Sequence, residues 1–362
     1  MVMKSRQGGN ADGHGQPPLS SIRLVAFLGL ALLLALQKQF KMLLLLQPSP
    51  FLDQRMFGVT ATPKLSPHNT ILNAVKLNNT KIVAVANSEY KEIALMWHEQ
   101  MTKLGYTTHV VATVDEDAHS FLQEKGVRVE TLLPRDSGDW PLPLGKPQQN
   151  RRRIFGTRWI HVMTQLQKGY NVLLTDADNI FNRYLPMEEL ESSKYDVFHA
   201  YAGDFPIRFL SMGFTICGGM AWFRSSPPSI RYVQSILEQC GSRDLGSMAQ
   251  CDDQQVANSQ FFDNKLNYTF YNERPRNDTF WKHSLEGESQ VTGHKFKIWD
   301  VNMAYRGPVD GKDGVCPKNN WVAMPLNSIE DPNNRVRKGD AAGERRLRLS
   351  QWMNYCGEVD LR

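Results

Sequence analysis

Cysteine is scarce in this chain. Five of its 362 residues are cysteine, Cys217, Cys240, Cys251, Cys316 and Cys356, and none stand as C-x-x-C, which argues against a zinc site. In an oxidising compartment two disulfides at most can form, and the odd count leaves a thiol over. Cys240 and Cys251 would close a short loop; Cys217, inside an apolar segment, reads as an inert buried thiol. An excess of one charge is missing too. The net charge of +5 is small and partly local, in Arg151-Arg152-Arg153 and between Arg335 and Arg348. No zinc-finger, basic-zipper or ribonucleoprotein pattern accompanies it, so nucleic acid is not an expected partner. These basic residues read as solvated surface, or as help with an anionic ligand. No internal repeat is visible, which excludes a repeat architecture. With 41% hydrophobic and 22% charged residues, the chain has an ordinary globular balance, enough for one large domain or two modest ones.

A clean membrane-spanning run is also lacking. Leu24 to Leu36 is uninterrupted and apolar but short of the ~20 residues a bilayer requires. Extending it back to Leu19 lengthens it, with Arg23 reaching to the interface. No small-x-small cleavage site follows Leu36 before Pro48, so the segment is expected to be an uncleaved signal anchor rather than a cleaved signal peptide. Lys4, Arg6 and Arg23 precede it and Lys38, Lys41 and Arg55 follow, so flanking charge does not decide its orientation. The expected organisation is a cytoplasmic tail over 1–21, a signal anchor over 22–46, a Pro-broken stem over 47–80 and a folded domain over 81–362. Sequons at Asn78, Asn267 and Asn277 permit a luminal location.

From Lys81 the pattern becomes regular. Ile82 to Ala86, Val110 to Val114 and Val127 to Leu132 read as buried strands. Between them lie a helix capped by Ser88, with Ile93, Trp97, Met101 and Leu104 on one face and Gly105 as its stop, and a shorter helix from Ala118 to Lys125. This βαβαβ order predicts an α/β domain, a mostly parallel sheet with helices on both faces. A loop is expected from about Pro134 to Arg153. A helix marked by Phe155, Trp159, Val162, Met163 and Leu166 follows, stopped by Gly169, and leads to a strand ending in Asp176. Val197 to Tyr201 and Gly213 to Phe223 read as further strands and Ser229 to Gln239 as a helix. The stretch from Asn258 to Asn320 reads as irregular, aromatic-rich and acceptor-facing.

Asp176-Ala177-Asp178 carries the chemistry. It follows the apolar run Val172 to Thr175, and in extended chain residues i and i+2 face the same side. Two hard carboxylates then converge where a buried strand exits, the edge at which open α/β sheets bind ligands. Such a pair holds Mg²⁺ or Mn²⁺ that takes substrate phosphates as its other ligands. A cap for the following segment is the plain alternative. Asp252-Asp253-Gln254-Gln255, with Asn258 after it, is open between a helix cap and a carboxylate and amide that reach a sugar. Cys217-Gly218-Gly219-Met220 is open between a close approach of backbone to ligand and a kinked strand. Asn87 and Asp115, at two strand ends, can meet a uracil or ribose or serve as turn and cap residues. Arg158 faces donor phosphates or is a solvated helix arginine.

Taken together, Asn87-Ser88-x-Tyr90, Arg158 with Gly169-Tyr170-x-Val172-Leu173-x-x-Asp176-Ala177-Asp178, Cys217-Gly218-Gly219-x-x-x-Phe223-Arg224 and Asp253-Gln254-x-x-x-Asn258 resemble one family. It is that of nucleotide-diphospho-sugar transferases, including plant rhamnogalacturonan xylosyltransferases and related arabinosyl- and galactosyltransferases, and the likeness spans about residues 81 to 356. The resemblance implies a GT-A fold, a type II Golgi anchor and retaining transfer from a UDP-sugar to a glycan acceptor, with Mn²⁺ or Mg²⁺. It implies that Asp176 and Asp178 hold metal and nucleotide, and that Asp253 and Gln254 contact the sugar at the reaction centre. One departure stands out. Where the family often has His-x-Asn near the C-terminus, this chain has Pro325-Leu326-Asn327; His294 is the candidate substitute. Two rival readings remain, a haloacid-dehalogenase-like phosphatase with Asp176 as nucleophile, and a luminal sugar-binding protein with a degenerate site.

Overall fold

A computed structural model describes residues 79–133, 141, 147–202, 206–240, 251–273, 283–300, 303–307 and 321–325, with 342, 343, 345–347, 349 and 350 near the C-terminus. The chain divides into two compact units, Met1–Ile71 and Leu72–Arg362, and every described residue belongs to the second. The expected tail and anchor, nearly all of the stem, Asn78, Asn277, Cys316, Cys356 and Leu326-Asn327 lie outside the described residues. Among the described residues no helix is long and apolar enough to cross a membrane.

Strand β1 (Thr80–Ala86), helix α1 (Lys91–Lys103), β2 (His109–Thr113), α2 (Glu116–Glu124) and β3 (Val129–Thr131) form the expected βαβαβ unit. Helix α3 (Pro147–Gln167) then leads to β4 (Asn171–Thr175). The strands pair in parallel in the order β3-β2-β1-β4. The runs of β1, β2 and β4 are buried on both faces, as parallel sheets require, while β3 at the sheet edge is half-buried. Gly105 and Gly169 stop α1 and α3 with φ of +83° and +89°, a conformation that costs glycine nothing.

Beyond β4 come β5 (Ile180–Phe181), α4 (Met187–Ser192), β6 (Val197–Tyr201), a 3₁₀ turn at Ile207–Met212 and β7 (Ile216–Phe223). Helices α5 (Pro227–Gln239) and α6 (Asp253–Phe262) follow, then β8 (Tyr268–Phe270), β9 (Leu285–Ser289), β10 (Lys295–Ile298), β11 (Ala304–Gly307) and β12 (Val322–Pro325). The sheet continues from β4 as β7-β6-β10-β9-β8, nine strands in all, while β11-β12-β5 form a small second sheet. In this second half only β6 and β10 run parallel to each other, so the sheet is parallel on one side and mixed on the other.

Alternate residues of each strand feed opposite faces. Leu173 joins Ile82, Ala84, Trp222 and the α1 residues Ile93, Trp97 and Met101. Val172 and Leu174 join Val83, Val110, Trp159 and Val162 of α3 and Tyr232 of α5. Helices therefore cover both faces, as expected.

Three expectations change. Helix α3 begins at Pro147, inside the expected loop, because Pro is favoured at the first position of a helix. Ser88 does not cap α1: Tyr90 holds the N-cap position, and Asn87 Oδ1 accepts from Tyr90 N–H at 3.2 Å. Among the described residues after Asn258, the aromatic stretch contains regular strands. Leu285–Ser289 and Lys295–Ile298 alternate buried and half-buried residues, the period of half-buried strands, and the aromatics Phe261 and Phe296 are core. Their job is packing rather than display to an acceptor.

Candidate active site

The site is assembled at the carboxyl edge of β4. Helix α3 runs back over the sheet into β4. Arg158 lies nine residues before the end of that helix, about 14 Å along its axis. Strand β4 is about 16 Å long, so the guanidinium stands level with the strand's exit. It is 4% exposed, which corrects the solvated reading. Nη1 donates to Asp176 Oδ1 at 2.8 Å, and Nη2 donates to the Gly218 carbonyl at 2.8 Å and to Asp253 Oδ2. One arginine therefore ties the strand-end carboxylate to the carboxylate that opens α6. Burial alone would pull the Arg158 pKa down; Asp253 and Asp176 outweigh it and hold the guanidinium above its ordinary value. Burial pushes the Asp253 carboxyl up, against the pull of Arg158 and with the repulsion of Asp176. The guanidinium touching both acids makes the ionised pair the state we assign at neutral pH.

The two glycines of β7 explain themselves against these acids. A Cβ on Gly219 would overlap the Asp176 carboxylate, and one on Gly218 would stand 3.1 Å from Asp253 Oδ2. The close approach is thus to the chain's own carboxylates. Strand β7 also bulges there: His199 pairs with Ala221 and Tyr201 with Ile216, so β6 advances two residues while β7 advances five. Asp176 N–H donates to the Gly219 carbonyl at 2.7 Å. Asn179, buried and not singled out from sequence, donates to that same carbonyl at 3.0 Å and to Thr175 Oγ1 at 2.9 Å, fixing the Asp176-to-Asp178 turn.

Asp252 is the N-cap of α6, accepting from Gln255 N–H at 3.1 Å, which leaves Asp253 to face Arg158. The cap reading holds for Asp252, while Asp253 is paired with Arg158. Gln254 is beside it, 8% exposed. Asn258 is fully buried: its side chain accepts from Ile216 N–H and donates to the carbonyls of Ile216 and Gln254, tying α6 to the start of β7. Asn87 and Asp115 sit together at the ends of β1 and β2 rather than with Arg158. Asp115 accepts from Ala118 N–H at 2.8 Å as the cap of α2 and from Ser88 N–H at 2.9 Å.

Asp178 is held separately, by Arg345 Nη1. Arg345 was visible in sequence only as one of a basic stretch; its partner is 167 residues away. Its charge is favoured first by Asp178. His294 is not a third ligand. It precedes β10, which runs parallel to β6 and hence to β4, so it lies at the opposite edge of the sheet from Asp176. There it is fully buried, bonded to Thr292 Oγ1 at 2.6 Å and Tyr268 Oη at 3.1 Å. Strand β12 does approach the pair: Val322 and Ala323 pair with Phe181 and Ile180, so the strand continues toward Asp178 and ends at Pro325.

The cluster suits a divalent cation. Three carboxylates face two guanidinium groups, leaving one negative charge in excess. Bonds among the described residues use Oδ1 of Asp176 and Oδ2 of Asp178 and leave the other oxygen of each for a hard ion. No group of three or more His, Cys, Asp or Glu residues gathers around a common point among the described residues.

Fold and cluster together define an α/β protein with three carboxylates and two arginines gathered at the carboxyl edge of its sheet. The chain belongs to the nucleotide-diphospho-sugar transferase family, whose model matches residues 105–337. This removes the phosphatase reading. Two curated relatives from Arabidopsis thaliana are similar over part of the chain. Arabinosyltransferase RRA2 is 28% identical over 31% of this chain and 25% of its own length. Beta-arabinofuranosyltransferase RAY1 is 25% identical over 46% of this chain and 31% of its own length. The chain thus spans a third or less of either relative. Among solved structures, galactosyltransferase LgtC in complex with donor and acceptor sugar analogs aligns with TM-score 0.39 and 12% identity, covering 77% of this chain and 96% of that one. Mouse xyloside xylosyltransferase 1 in its apo form aligns with TM-score 0.35 and 8% identity, covering 71% and 99%.

Proposed function

We propose that this protein is a metal-dependent GT-A glycosyltransferase that moves a pentose or galactose-type sugar from a UDP-sugar to a glycan or glycoprotein acceptor, with retention. The observation that carries the reading is the Asp176–Arg158–Asp253 bridge, which holds two carboxylates on one buried guanidinium; the reading takes Asp176 as the phosphate-side and Asp253 as the sugar-side group. A Mn²⁺ or Mg²⁺ bound by Asp176 and Asp178 would neutralise the diphosphate as a leaving group. Asp253 lies one guanidinium away from that site, where its charge can stabilise positive character developing at the anomeric carbon. A carboxylate paired to arginine in a buried site is a poor nucleophile, which favours attack by the acceptor hydroxyl from the departing side over a covalent sugar intermediate. The hydroxyl proton then passes to the departing phosphate. Gln254, beside Asp253, is placed to contact sugar hydroxyls. The same reading takes the chain to be anchored in the Golgi membrane with this domain luminal.

The test is a panel of UDP-xylose, UDP-arabinose and UDP-galactose offered to the full chain with Mn²⁺. Transfer or donor hydrolysis with at least one of them, lost on chelation and in Asp178→Ala, is expected. Normal turnover by Asp178→Ala would refute the assignment. UDP binding with neither transfer nor hydrolysis would favour the degenerate sugar-binding protein.

A further inference from the structure

The second arginine of the site has no place in the chemistry above. Arg345 lies on a C-terminal helical stretch and reaches Asp178, while its guanidinium stands 5.6 Å from the ring centroid of Tyr90, just ahead of α1. The stretch is held in two further ways. Arg346 pairs with Glu92 in the first turn of α1, and Leu349 is buried in the core that α1 covers. Between α1 and this stretch lies a half-open pocket lined by Ser88, Glu92, Ile93, Ala342 and Arg346 among others.

Arg158 and Arg345 therefore treat the two aspartates differently. Arg158 is buried, and it bonds Asp176 and Asp253 together from the sheet side. Arg345 is 37% exposed at its side chain and takes a single oxygen of Asp178. A cation bound between Asp176 and Asp178 does not displace Arg158, whose second carboxylate holds it. It does meet the Arg345 charge across the Asp178 carboxylate, with no second carboxylate bonded to Arg345 among the described residues to offset that charge as Asp253 offsets Arg158, so the two cations repel and compete for Asp178.

We infer that Arg345 is an internal counter-ion of the metal site: the C-terminal stretch neutralises Asp178 when no divalent cation is bound, and cation binding displaces it. This inference rests on reading Asp176 and Asp178 as the cation site. A displaceable arginine lowers metal affinity by the strength of its own pairing, and it couples metal arrival to release of the C-terminal stretch from α1.

The experiment is titration of the full chain with Mn²⁺ in the absence of any donor, with the free ion followed by electron paramagnetic resonance. Arg345→Ala is expected to bind Mn²⁺ about tenfold more tightly than wild type. Arg345→Lys, which retains the charge, should lie near wild type. Glu92→Gln, which frees Arg346 and loosens the stretch without touching the aspartates, should tighten binding by about two- to threefold, and it carries the test if Arg345→Ala fails to fold. Equal or weaker binding by Arg345→Ala, or by Glu92→Gln in its place, overturns the inference. Asp178→Ala separates the two readings. If it abolishes binding while Arg345→Ala leaves affinity unchanged, only the counter-ion role falls. If Asp178→Ala binds as well as wild type, or nothing binds at all, the cation site falls and the inference with it.

Discussion

The two halves of the sheet bury titratable groups in opposite ways. At the carboxyl edge of the parallel half, Arg158 is buried as a charge and kept there by Asp176 and Asp253. In the mixed half, His199 and His294 are fully buried as neutral rings. His199 shares a hydrogen bond with Tyr232 Oη at 2.9 Å, and His294 lies tilted over the Tyr232 ring at 4.3 Å. Around them Phe261, Tyr268 and Phe296 pack with centroids 4.1 to 5.1 Å apart. One half keeps its buried groups charged and paired. The other discharges its histidines and gains packing instead. The lesson is that burial of a polar residue says nothing about function until its charge state is known.

The comparison breaks most severely at Arg158. Arg158→Met keeps the volume and removes the charge, leaving Asp253 buried with no cation and Asp176 repelling it. Breaking a buried pair from one side costs about 3–5 kcal/mol, which a urea titration would read as a lower midpoint. Turnover should fall by about 10²–10³-fold, the effect of losing one fixed electrostatic group. Arg158→Lys cannot span both carboxylates in the same fork and should recover little. Stability within about 0.5 kcal/mol of wild type would show that the bridge does not hold these elements together.

The histidine half gives a smaller, pH-dependent effect. Burial first, then the charges of His199 and Arg231, hold the His294 pKa down at about 3, against 6.5 ordinarily. Burial does the same to His199, also to about 3. Between pH 6.5 and 3 the unfolded chain therefore binds protons that the native state refuses. Stability must fall as the solution is acidified through that window, by up to about 1.4 kcal/mol per pH unit for each histidine. His294→Gln should flatten the acid limb by about that slope for one group, measured as denaturation midpoints at pH 6, 5 and 4. An unchanged slope would mean that His294 titrates freely in the native state.

How far the sequence carried the fold depends on the range of each interaction. Strands β1, β2 and β4 were legible because continuous apolar runs bounded by helix stops are local signals, and so was the exit of β4 at Asp176. The short loop closed by Cys240 and Cys251 is present as a disulfide across 11 residues. What failed was what depends on distant partners. Arg158 meets Asp176 and Asp253, 18 and 95 residues away, and nothing on α3 itself distinguishes a buried arginine from a wet one. The Gly218-Gly219 pair was recognisable as room for something, but not for the chain's own carboxylates. His294 drew notice as a spare ligand because sequence does not show which sheet edge a residue occupies. Strands β9 and β10 did alternate, but runs of five and four residues are too short to stand out from a charged loop.

Asp115 offers a third way to satisfy a carboxylate and the finest test of the comparison. It meets no arginine among the described residues; its two oxygens accept from Ala118 N–H and Ser88 N–H, joining the loops after β1 and β2. Its pairing is therefore with backbone dipoles, neither the ion pair of Asp253 nor the neutral burial of His294. Asp115→Ala removes a helix cap and should cost about 1 kcal/mol. Asp115→Asn keeps one acceptor oxygen for Ala118 N–H and turns an amide toward Ser88 N–H, so it should cost less than Ala but more than nothing. Urea midpoints for the two variants decide the point. A donor KM measured beside them then separates roles: unchanged in both variants, Asp115 is a loop clasp alone; raised in Asp115→Asn beyond what the small stability loss explains, the same carboxylate also meets the nucleoside.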